Sequence, residues 1–370
     1  MFVTGVDIYA LQLHYTRGTY VMSGGREASV LDSTLVRVRT DEGISGWGEA
    51  CPLGATYLPA FAQGVRAAMP LLAEAMLGVD PRELATVAAT MESTLRGQHA
   101  AKSALDVACW DILGRSVGLP LCTLLGGRRG EDFPLYVAIP LTAPEAMAEF
   151  ALDAVRDGVA GVQLKLGGDP FIDAARVQAV RAAVGDDILL VADANGGWSR
   201  HDALMAARLL SDSTRTVLEQ PCATLAECVE IRRRTSLPMA LDEVIVDVRA
   251  LTEANALGAM ESINLKLGRV GGLSAARVIR DLAGALGIRA TIEDTWGGDV
   301  VTAAVSHLAA STAPEMLVHA SFMNDWVTDH IAGHQPRSQH GRGRAPDAPG
   351  LGIEVDVDAL GAPLLTIGDR

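Results

Sequence analysis

Eight short apolar runs, each followed by a segment of helical periodicity, fill the chain from about residue 134 onward. The runs cover 135–141, 162–166, 188–194, 216–220, 239–243, 263–267, 290–294 and 316–319. The helical segments between them cover 143–157, 173–184, 201–212, 225–235, 248–257, 274–286 and 299–311. Alternating strands and helices predict an α/β fold with a parallel sheet, and eight such units favour a closed TIM-type (β/α) barrel. The alternative, a doubly wound dinucleotide fold, expects Gly-x-Gly-x-x-Gly after its first strand, where this chain has Thr-Ala-Pro-Glu-Ala.

The residues before the barrel predict an α+β domain. Strands are expected at 7–14 and in a hairpin of 34–40 and 44–49, with loops at 15–27 and 52–59. Helices are expected at 61–77, 82–96 and 99–117, where Lys102 would be a solvated helix lysine beside Asp106. In the tail, a loop at 335–350 and a strand at 351–357 are expected to return to the first domain.

Composition excludes several classes of protein. The net charge of −14 argues against nucleic acid as a partner. No uninterrupted apolar run reaches the ~18–20 residues of a membrane span, and the first residues alternate like a strand, without the basic start of a signal peptide. Five cysteines without Cys-x-x-Cys spacing fit reduced thiols, which predicts a cytoplasmic protein.

Lysine occurs at only three positions among 31 basic residues. Lys165 and Lys266 each end an apolar run just before glycine, in Gln-Leu-Lys-Leu-Gly and Asn-Leu-Lys-Leu-Gly. An ammonium can lose its proton when buried, whereas a guanidinium stays charged, so proton transfer is a role that lysine can fill and arginine cannot. A surface lysine at a loop start is the simpler interpretation for one such residue, but two matching contexts favour a functional role.

Polar residues recur at the ends of the predicted strands at intervals of 23 to 28 residues. They are Lys165, Asp193 with Asn195, Glu219, Asp242 with Glu243, Lys266, and Asp294 followed by Trp296. Active sites of (β/α) barrels lie at these strand ends. Asp193, Glu219 and Asp242 come from three adjacent strands, and three converging carboxylates predict a hard cation, Mg²⁺ first and Mn²⁺ second. Helix N-caps are the alternative for any one of them.

The two lysines would flank this cation, because strands 2 and 6 face each other across an eight-stranded barrel. The cation and the opposing amine both disfavour an ammonium, so each lysine pKa is expected to fall towards that of a general base. Such a pair can remove a proton α to a carboxylate, and the cation would stabilise the resulting enediolate.

These residues together resemble the enolase superfamily, muconate-lactonizing-enzyme branch, along nearly the whole chain. The resemblance extends to Ala101–Gly114 and to the Leu-Leu-Gly-Gly turn at 124–127. It implies a modified, (β/α)7β-like barrel at 126–324 and a capping domain formed by 1–125 and the returning segment 325–370. It also implies a homo-oligomer, and loops around Tyr20 and Tyr57 that close over a small-molecule substrate. Gln163 departs from the pattern, since many members have lysine there.

Within this branch, the stretches 41–43, 51–59, 191–195, 231–235 and 291–299 are similar to cis-3-hydroxy-L-proline dehydratases, with 4-hydroxyproline betaine 2-epimerases as neighbours. The similarity implies dehydration to Δ1-pyrroline-2-carboxylate. It makes Lys165 and Lys266 catalytic residues and Asp193, Glu219 and Asp242 metal ligands. Substrate contacts are expected from Asp294, Trp296, Tyr57, Tyr20 and Asn195. Gln163 and Glu243 are expected to contact the metal ligands without binding the metal themselves.

Three alternatives stay open at this point. The same lysines could epimerise C2 of proline, hydroxyproline or their betaines. Trp296 could be a packing residue instead of an aromatic face for a ring ammonium. A barrel that has lost catalysis and only binds is a more distant possibility. A mandelate-racemase-like site is disfavoured because strand 7 provides Asp294 and no histidine, while His307 and His319 are expected in the core or at an interface.

Overall fold

The computed structural model describes residues 1–369, and its N-terminal region is built on antiparallel strands. The strands are β1 (Val3–His14), β2 (Tyr20–Met22), β3 (Arg26–Ala28), β4 (Val30–Thr40) and β5 (Ser45–Ala50). β1 pairs with β4 and β4 with β5, while β2 and β3 form a separate hairpin. The hairpin expected at 34–40 and 44–49 is confirmed by the pairing of β4 with β5.

Four helices complete this region: α1 (Ala62–Met76), α2 (Leu84–Thr94), α3 (His99–Val117) and α4 (Leu121–Leu124). α3 is buried along most of its length and packs directly on β5. Close packing is possible because β5 carries Gly46 and Gly48 on the contact face. A Cβ atom at Gly48 would lie 1.8 Å from the carbonyl oxygen of Ala104, so any larger residue would push the helix away.

A short strand, β6 (Phe133–Pro134), precedes an eight-stranded parallel sheet. Its strands are β7 (Tyr136–Ile139), β8 (Gly161–Lys165), β9 (Leu189–Asp193), β10 (Thr216–Glu219), β11 (Met239–Leu241), β12 (Ser262–Lys266), β13 (Arg289–Glu293) and β14 (Leu317–Ala320). Each strand pairs in parallel with the next along the chain. The last and first strands meet at a bridge between Leu135 and Ala320, so the predicted barrel is confirmed.

Helices alternate with these strands on the outside of the barrel. They are α5 (Pro144–Arg156), α6 (Pro170–Val184), α7 (Arg200–Leu209), α8 (Leu225–Arg232), α9 (Val248–Ala256), the short α10 (Leu267–Val270), α11 (Leu273–Ala285) and α12 (Asp299–Ala310). A 3-10 turn, Met323–Trp326, follows β14 in place of an eighth outer helix, which is the (β/α)7β variant. Within residues 1–369, no helix is both long enough and apolar enough to cross a membrane.

The C-terminal segment returns to the first sheet, but its strand lies later than predicted. β15 (Arg342–Gly343) pairs with β6, the turn α13 (Val357–Leu360) follows, and β16 (Leu365–Gly368) pairs antiparallel with β1. The strand expected at 351–357 is wrong. Asp356 accepts hydrogen bonds from the Asp358 and Ala359 amides and so starts a helical turn there. The domain limits, 1–125 with 325–370 against 126–324, stay our proposal.

Buried carboxylates of the first domain bind the first turns of two barrel helices. Glu49 accepts hydrogen bonds from the amides of Gly298 (2.8 Å) and Val301 (3.0 Å) at the start of α12. Asp106 accepts from the amide (3.0 Å) and hydroxyl of Ser274 at the start of α11. Helix N-termini favour negative charge, so these contacts fix the first domain on the barrel.

Lys102 is not the solvated residue expected from sequence. Its side chain is buried and forms an ion pair with Glu92, because Asp106, its expected partner, is turned towards Ser274. The expectation for the two histidines is confirmed, since both are buried, His307 in α12 and His319 in β14. His307, for example, bonds the backbone of Cys122 and Leu351.

Asp106 should make the stability of the protein depend on pH. Burial raises its pKa to about 6, whereas an unfolded aspartate has a pKa of ~3.9. Below about pH 4 the group is protonated in both states and has no effect on stability; above about pH 6 the fold must bury its charge. We therefore expect the free energy of unfolding of the wild type, relative to Asp106→Asn, to fall by about 3 kcal/mol between these limits.

Denaturant unfolding of both proteins across this pH range measures the difference. Asp212→Asn, which changes an exposed carboxylate, is the matched control. Its free energy of unfolding should change with pH as that of the wild type does. If the free energy of unfolding of Asp106→Asn changes with pH in the same way as that of the wild type, the prediction is contradicted.

Candidate active site

The polar residues expected at the rim of the barrel lie together at the C-terminal ends of the strands. Lys165, Asp193 and Glu219 are the last residues of β8, β9 and β10 and are aligned in register. Lys266 ends β12, and Asp242 directly follows β11. All five side chains are buried, so any charge they carry is largely shielded from water.

Each lysine amine forms an ion pair with a carboxylate of the rim. Lys165 Nζ lies 2.5 Å from Asp193 Oδ2, and Lys266 Nζ lies 2.6 Å from Asp242 Oδ2. Burial by itself lowers the pKa of both amines, but the paired carboxylates outweigh it and raise both pKa values above the usual range. The expected lowering of the lysine pKa values assumed a cation at the rim and stays a prediction for the metal-bound site, because here each amine directly contacts a carboxylate.

Glu219 differs from the other two carboxylates because its partners are neutral amides. Gln163 Nε2 lies 3.0 and 2.9 Å from its two oxygens, and Asn264 Nδ2 donates to Oε1 at 2.7 Å. Burial, then the charges of Asp193 and Asp242, raise the pKa of Glu219 well above its usual value. This carboxylate is the member of the set whose charge is least compensated.

Asp242 is held by cations on two sides. Arg269 Nη1 lies 2.5 Å from Oδ1, and Lys266 Nζ binds Oδ2. Burial acts to raise the pKa of Asp242, but these two cations hold it below the usual range. Arg269 also donates to the backbone oxygens of Ile245 and Asn264, which fixes its position next to the rim.

The donor set fits a hard divalent cation by its chemistry. Asp193, Glu219 and Asp242 offer only carboxylate oxygens, buried and adjacent in the sheet. Within residues 1–369, however, no group of three His, Cys, Asp or Glu side chains is arranged to hold a metal ion. The reason is visible in the contacts: amines hold Asp193 and Asp242, and amides hold Glu219. A cation would have to take these oxygens from the amines.

A loop of the first domain reaches the rim through Tyr57. Its hydroxyl donates to Glu243 Oε1 at 2.7 Å and lies 3.3 Å from Lys266 Nζ. Asn195 Nδ2 donates to the same Glu243 oxygen at 3.1 Å, so the two residues meet there. Burial raises the pKa of Glu243 to about 7. Tyr57, Asn195 and Glu243 thus form one hydrogen-bonded group at the side of Lys266.

An aromatic wall lies above the lysines. Trp296 makes edge contacts with Tyr20, Tyr15 and Trp326, at ring-centroid distances of 4.9, 5.8 and 5.6 Å. Trp296 is 1% exposed, and its Nε1 has no hydrogen-bond partner among the described residues. Trp296 therefore packs as a core residue does, while its N–H group remains available for a ligand.

Asp294 is directed towards the backbone. Its oxygens accept hydrogen bonds from the amides of Gly268, at 3.1 and 3.0 Å, and of Thr295, at 2.7 Å. Burial raises its pKa to about 7. Asp294, Tyr20 and Trp296 line a cavity whose other walls include Lys165 and Lys266. The cavity places a polar centre next to an aromatic surface.

The comparisons with known proteins agree with this geometry. A family model described as enolase C-terminal domain-like matches residues 146–359. A model of the mandelate racemase / muconate lactonizing enzyme N-terminal domain matches residues 22–126. The chain belongs to the enolase superfamily. This confirms the family resemblance and the enzyme class inferred from the strand-end residues.

Individual relatives in this superfamily cover nearly the whole chain. A cis-3-hydroxy-L-proline dehydratase from Roseibium aggregatum is 45% identical over 98% of this chain and 99% of its own length. An N-succinyl-L-Arg/Lys racemase from Bacillus cereus is 30% identical over 97% of both. The structure of an enolase-superfamily member from Roseovarius nubinhibens, complexed with magnesium, has a TM-score of 0.93 and 36% identity over 99% of each chain.

The structure adds four polar residues that the sequence analysis missed: Tyr136, Asn264, Arg269 and Glu293. Side chains of a barrel strand alternate between the inside and the outside. Asn264 precedes Lys266 by two residues, as Gln163 precedes Lys165, so this alternation could have identified Asn264. Glu293 is paired in register with Lys266, which the sequence does not reveal, and no comparable signal marks Arg269.

Proposed function

We propose that this enolase-superfamily enzyme dehydrates cis-3-hydroxy-L-proline to Δ1-pyrroline-2-carboxylate with Mg²⁺ as cofactor. The observation that carries the proposal is the pair of buried amines, Lys165 and Lys266, on strands that face each other across the barrel. A planar centre held between them can lose a proton to one amine and receive a proton from the other. The 45% identity to a dehydratase of this substrate supports the same reaction.

The two lysines would divide the work of the reaction. One amine accepts the proton from C2, and the electron pair of the C2–H bond moves towards the carboxylate. The bond from C3 to its hydroxyl then breaks, and the opposing ammonium protonates the leaving oxygen so that water departs. The resulting enamine takes up a proton at C3 and loses one from nitrogen as it tautomerises to the cyclic imine. The overall change is loss of one water molecule.

Asp193, Glu219 and Asp242 would hold the Mg²⁺ ion, with Mn²⁺ as the second choice. The bound ion would supply the positive charge that stabilises negative charge developing on the substrate carboxylate. Gln163 and Asn264 keep Glu219 oriented without neutralising it, so that its charge is available to the ion. The magnesium in a superfamily relative supports this assignment.

The aromatic wall and Asp294 would bind the substrate ring. A ring ammonium is attracted to the faces of Trp296 and Tyr20, and Asp294 lies in the same cavity with two oxygens fixed by backbone amides. Tyr57 and Asn195 would close the side next to Lys266, with Glu243 behind them. This arrangement excludes water from the proton that is removed.

Replacing either lysine should stop the reaction. We expect Lys165→Ala and Lys266→Ala each to lower the rate of dehydration by about 10³-fold, because each removes a proton-transferring group. Lys102→Arg, which changes the third lysine of the chain, is the matched control and should keep its activity. Proton NMR of cis-3-hydroxy-L-proline measures the loss of substrate, and a double variant that still dehydrates would contradict the proposal.

Chelation should abolish activity reversibly. We expect the protein treated with EDTA to lose dehydration and to regain it with added Mg²⁺, and with Mn²⁺ to a smaller extent. Asp193→Asn should weaken Mg²⁺ binding in calorimetry, because it removes one of three anionic ligands. Full activity after exhaustive chelation would rule out the metal assignment.

Epimerisation at C2 is the second candidate, because amines on opposite faces can also remove a proton from one face and return it to the other. A leaving group at C3 decides between the two reactions. In D₂O we expect cis-3-hydroxy-L-proline to yield pyrroline-2-carboxylate. We expect 4-hydroxyproline and the betaines to exchange their C2 proton no faster than cis-3-hydroxy-L-proline is dehydrated. Deuterium entering C2 of those compounds at a higher rate, without elimination, would establish the epimerase instead.

A further inference from the structure

Glu293 is a buried carboxylate at the rim to which the proposed reaction gives no role. It ends β13, is 1% exposed, and lies beside Lys266 in the register of the sheet. Its Oε1 is 3.5 Å from Lys266 Nζ. A charged group is costly to bury without a purpose, so its contacts need an explanation.

Neighbouring strands hold the Glu293 carboxylate in place. Asn264 Nδ2 donates to Oε1 at 2.9 Å, and the hydroxyl of Tyr136, from the first strand of the barrel, donates to Oε2. Asn264 precedes Lys266 by two residues on β12, so it faces the interior on the same side. Because both oxygens are engaged, the carboxylate cannot turn away from Lys266.

The two lysines differ in the number of carboxylates that lie within ion-pair distance of the amine. Lys266 has two carboxylates within ion-pair distance, Asp242 at 2.6 Å and Glu293 at 3.5 Å. Within residues 1–369, Lys165 has one, Asp193 at 2.5 Å. Asp242 is also shared with Arg269, whereas among the described residues no arginine lies within ion-pair distance of Glu293. Glu293 therefore lies within ion-pair distance of Lys266 and not of Lys165.

We propose that Glu293 is a positioning residue that fixes the amine of Lys266, and not that of Lys165, on its face of the substrate. The proposal rests on the two-lysine function above and deepens it. Tyr136 and Asn264 act through Glu293, since they hold its carboxylate and do not touch Lys266 within hydrogen-bond distance. Loss of the Glu293 charge should thus impair proton transfer on the face of the substrate next to Lys266 and spare proton transfer on the face next to Lys165.

Deuterium exchange at C2 of L-proline and of D-proline, followed by NMR in D₂O, tests this asymmetry. Lys266→Ala identifies the enantiomer whose exchange depends on Lys266. We expect Glu293→Gln to slow that exchange by about 10- to 100-fold, as misplacement of a catalytic group does, and to change exchange of the other enantiomer by less than about twofold. Tyr136→Phe, which keeps the charge and removes one support, should slow the same enantiomer to a smaller extent.

Equal losses for both enantiomers, or no loss in either, would overturn the proposal. Lack of exchange by the wild type with both enantiomers would instead count against the proposed function. The positioning role is then decided by a measurement that needs no substrate. The chain has only three lysines, so reductive methylation can be followed at each of them by mass spectrometry of peptides.

In that measurement we expect Glu293→Gln to accelerate methylation of Lys266 by about tenfold, because its amine loses one of two carboxylate partners. Lys165 and Lys102 are internal controls and should keep their wild-type rates. Unchanged methylation of Lys266, or equal acceleration of Lys165, would show that Glu293 does not hold the amine of Lys266.

Discussion

An excess of buried negative charge at the mouth of the barrel governs the chemistry of this protein. Five buried carboxylates meet three buried cations there: Asp193, Glu219, Asp242, Glu293 and Asp294 against Lys165, Lys266 and Arg269. Burial raises the pKa of Glu219, Glu293 and Asp294, which is the expected response when cations are too few. A divalent cation and the ammonium of a substrate are the charges that such a site would attract.

The walls of the cavity explain why the first domain is fixed to the barrel. The cavity has its aromatic wall and Tyr57 only if the loops of the first domain stay above the strand ends. Glu49 and Asp106 secure that position by binding the first turns of α12 and α11. These carboxylates are themselves buried, so part of the stability of the fold is given up to hold the two domains in register.

Much of the fold could be predicted from sequence because strand–helix alternation is a local signal repeated eight times. The rim residues followed from the same spacing, since each is the last polar group of an apolar run. Glu293 was missed because β13 ends one residue earlier than predicted, so that Glu293 is directed inward and Asp294 towards the backbone. The partner of Lys102 and the raised lysine pKa values depend on contacts distant in sequence, which periodicity does not reveal.

Gln163 shows how a single neutral residue affects the balance between buried carboxylates and buried cations at the rim. Many superfamily members have a lysine at this position, whereas here an amide makes two hydrogen bonds to Glu219. An ammonium at the same place would neutralise Glu219 and compete with a divalent cation for its oxygens. It would also lower the pKa of Lys165, two residues along the same strand face. With glutamine, no ammonium competes with a cation for the oxygens of Glu219, and the pKa of Lys165 depends on how strongly that cation draws Asp193 away from the amine.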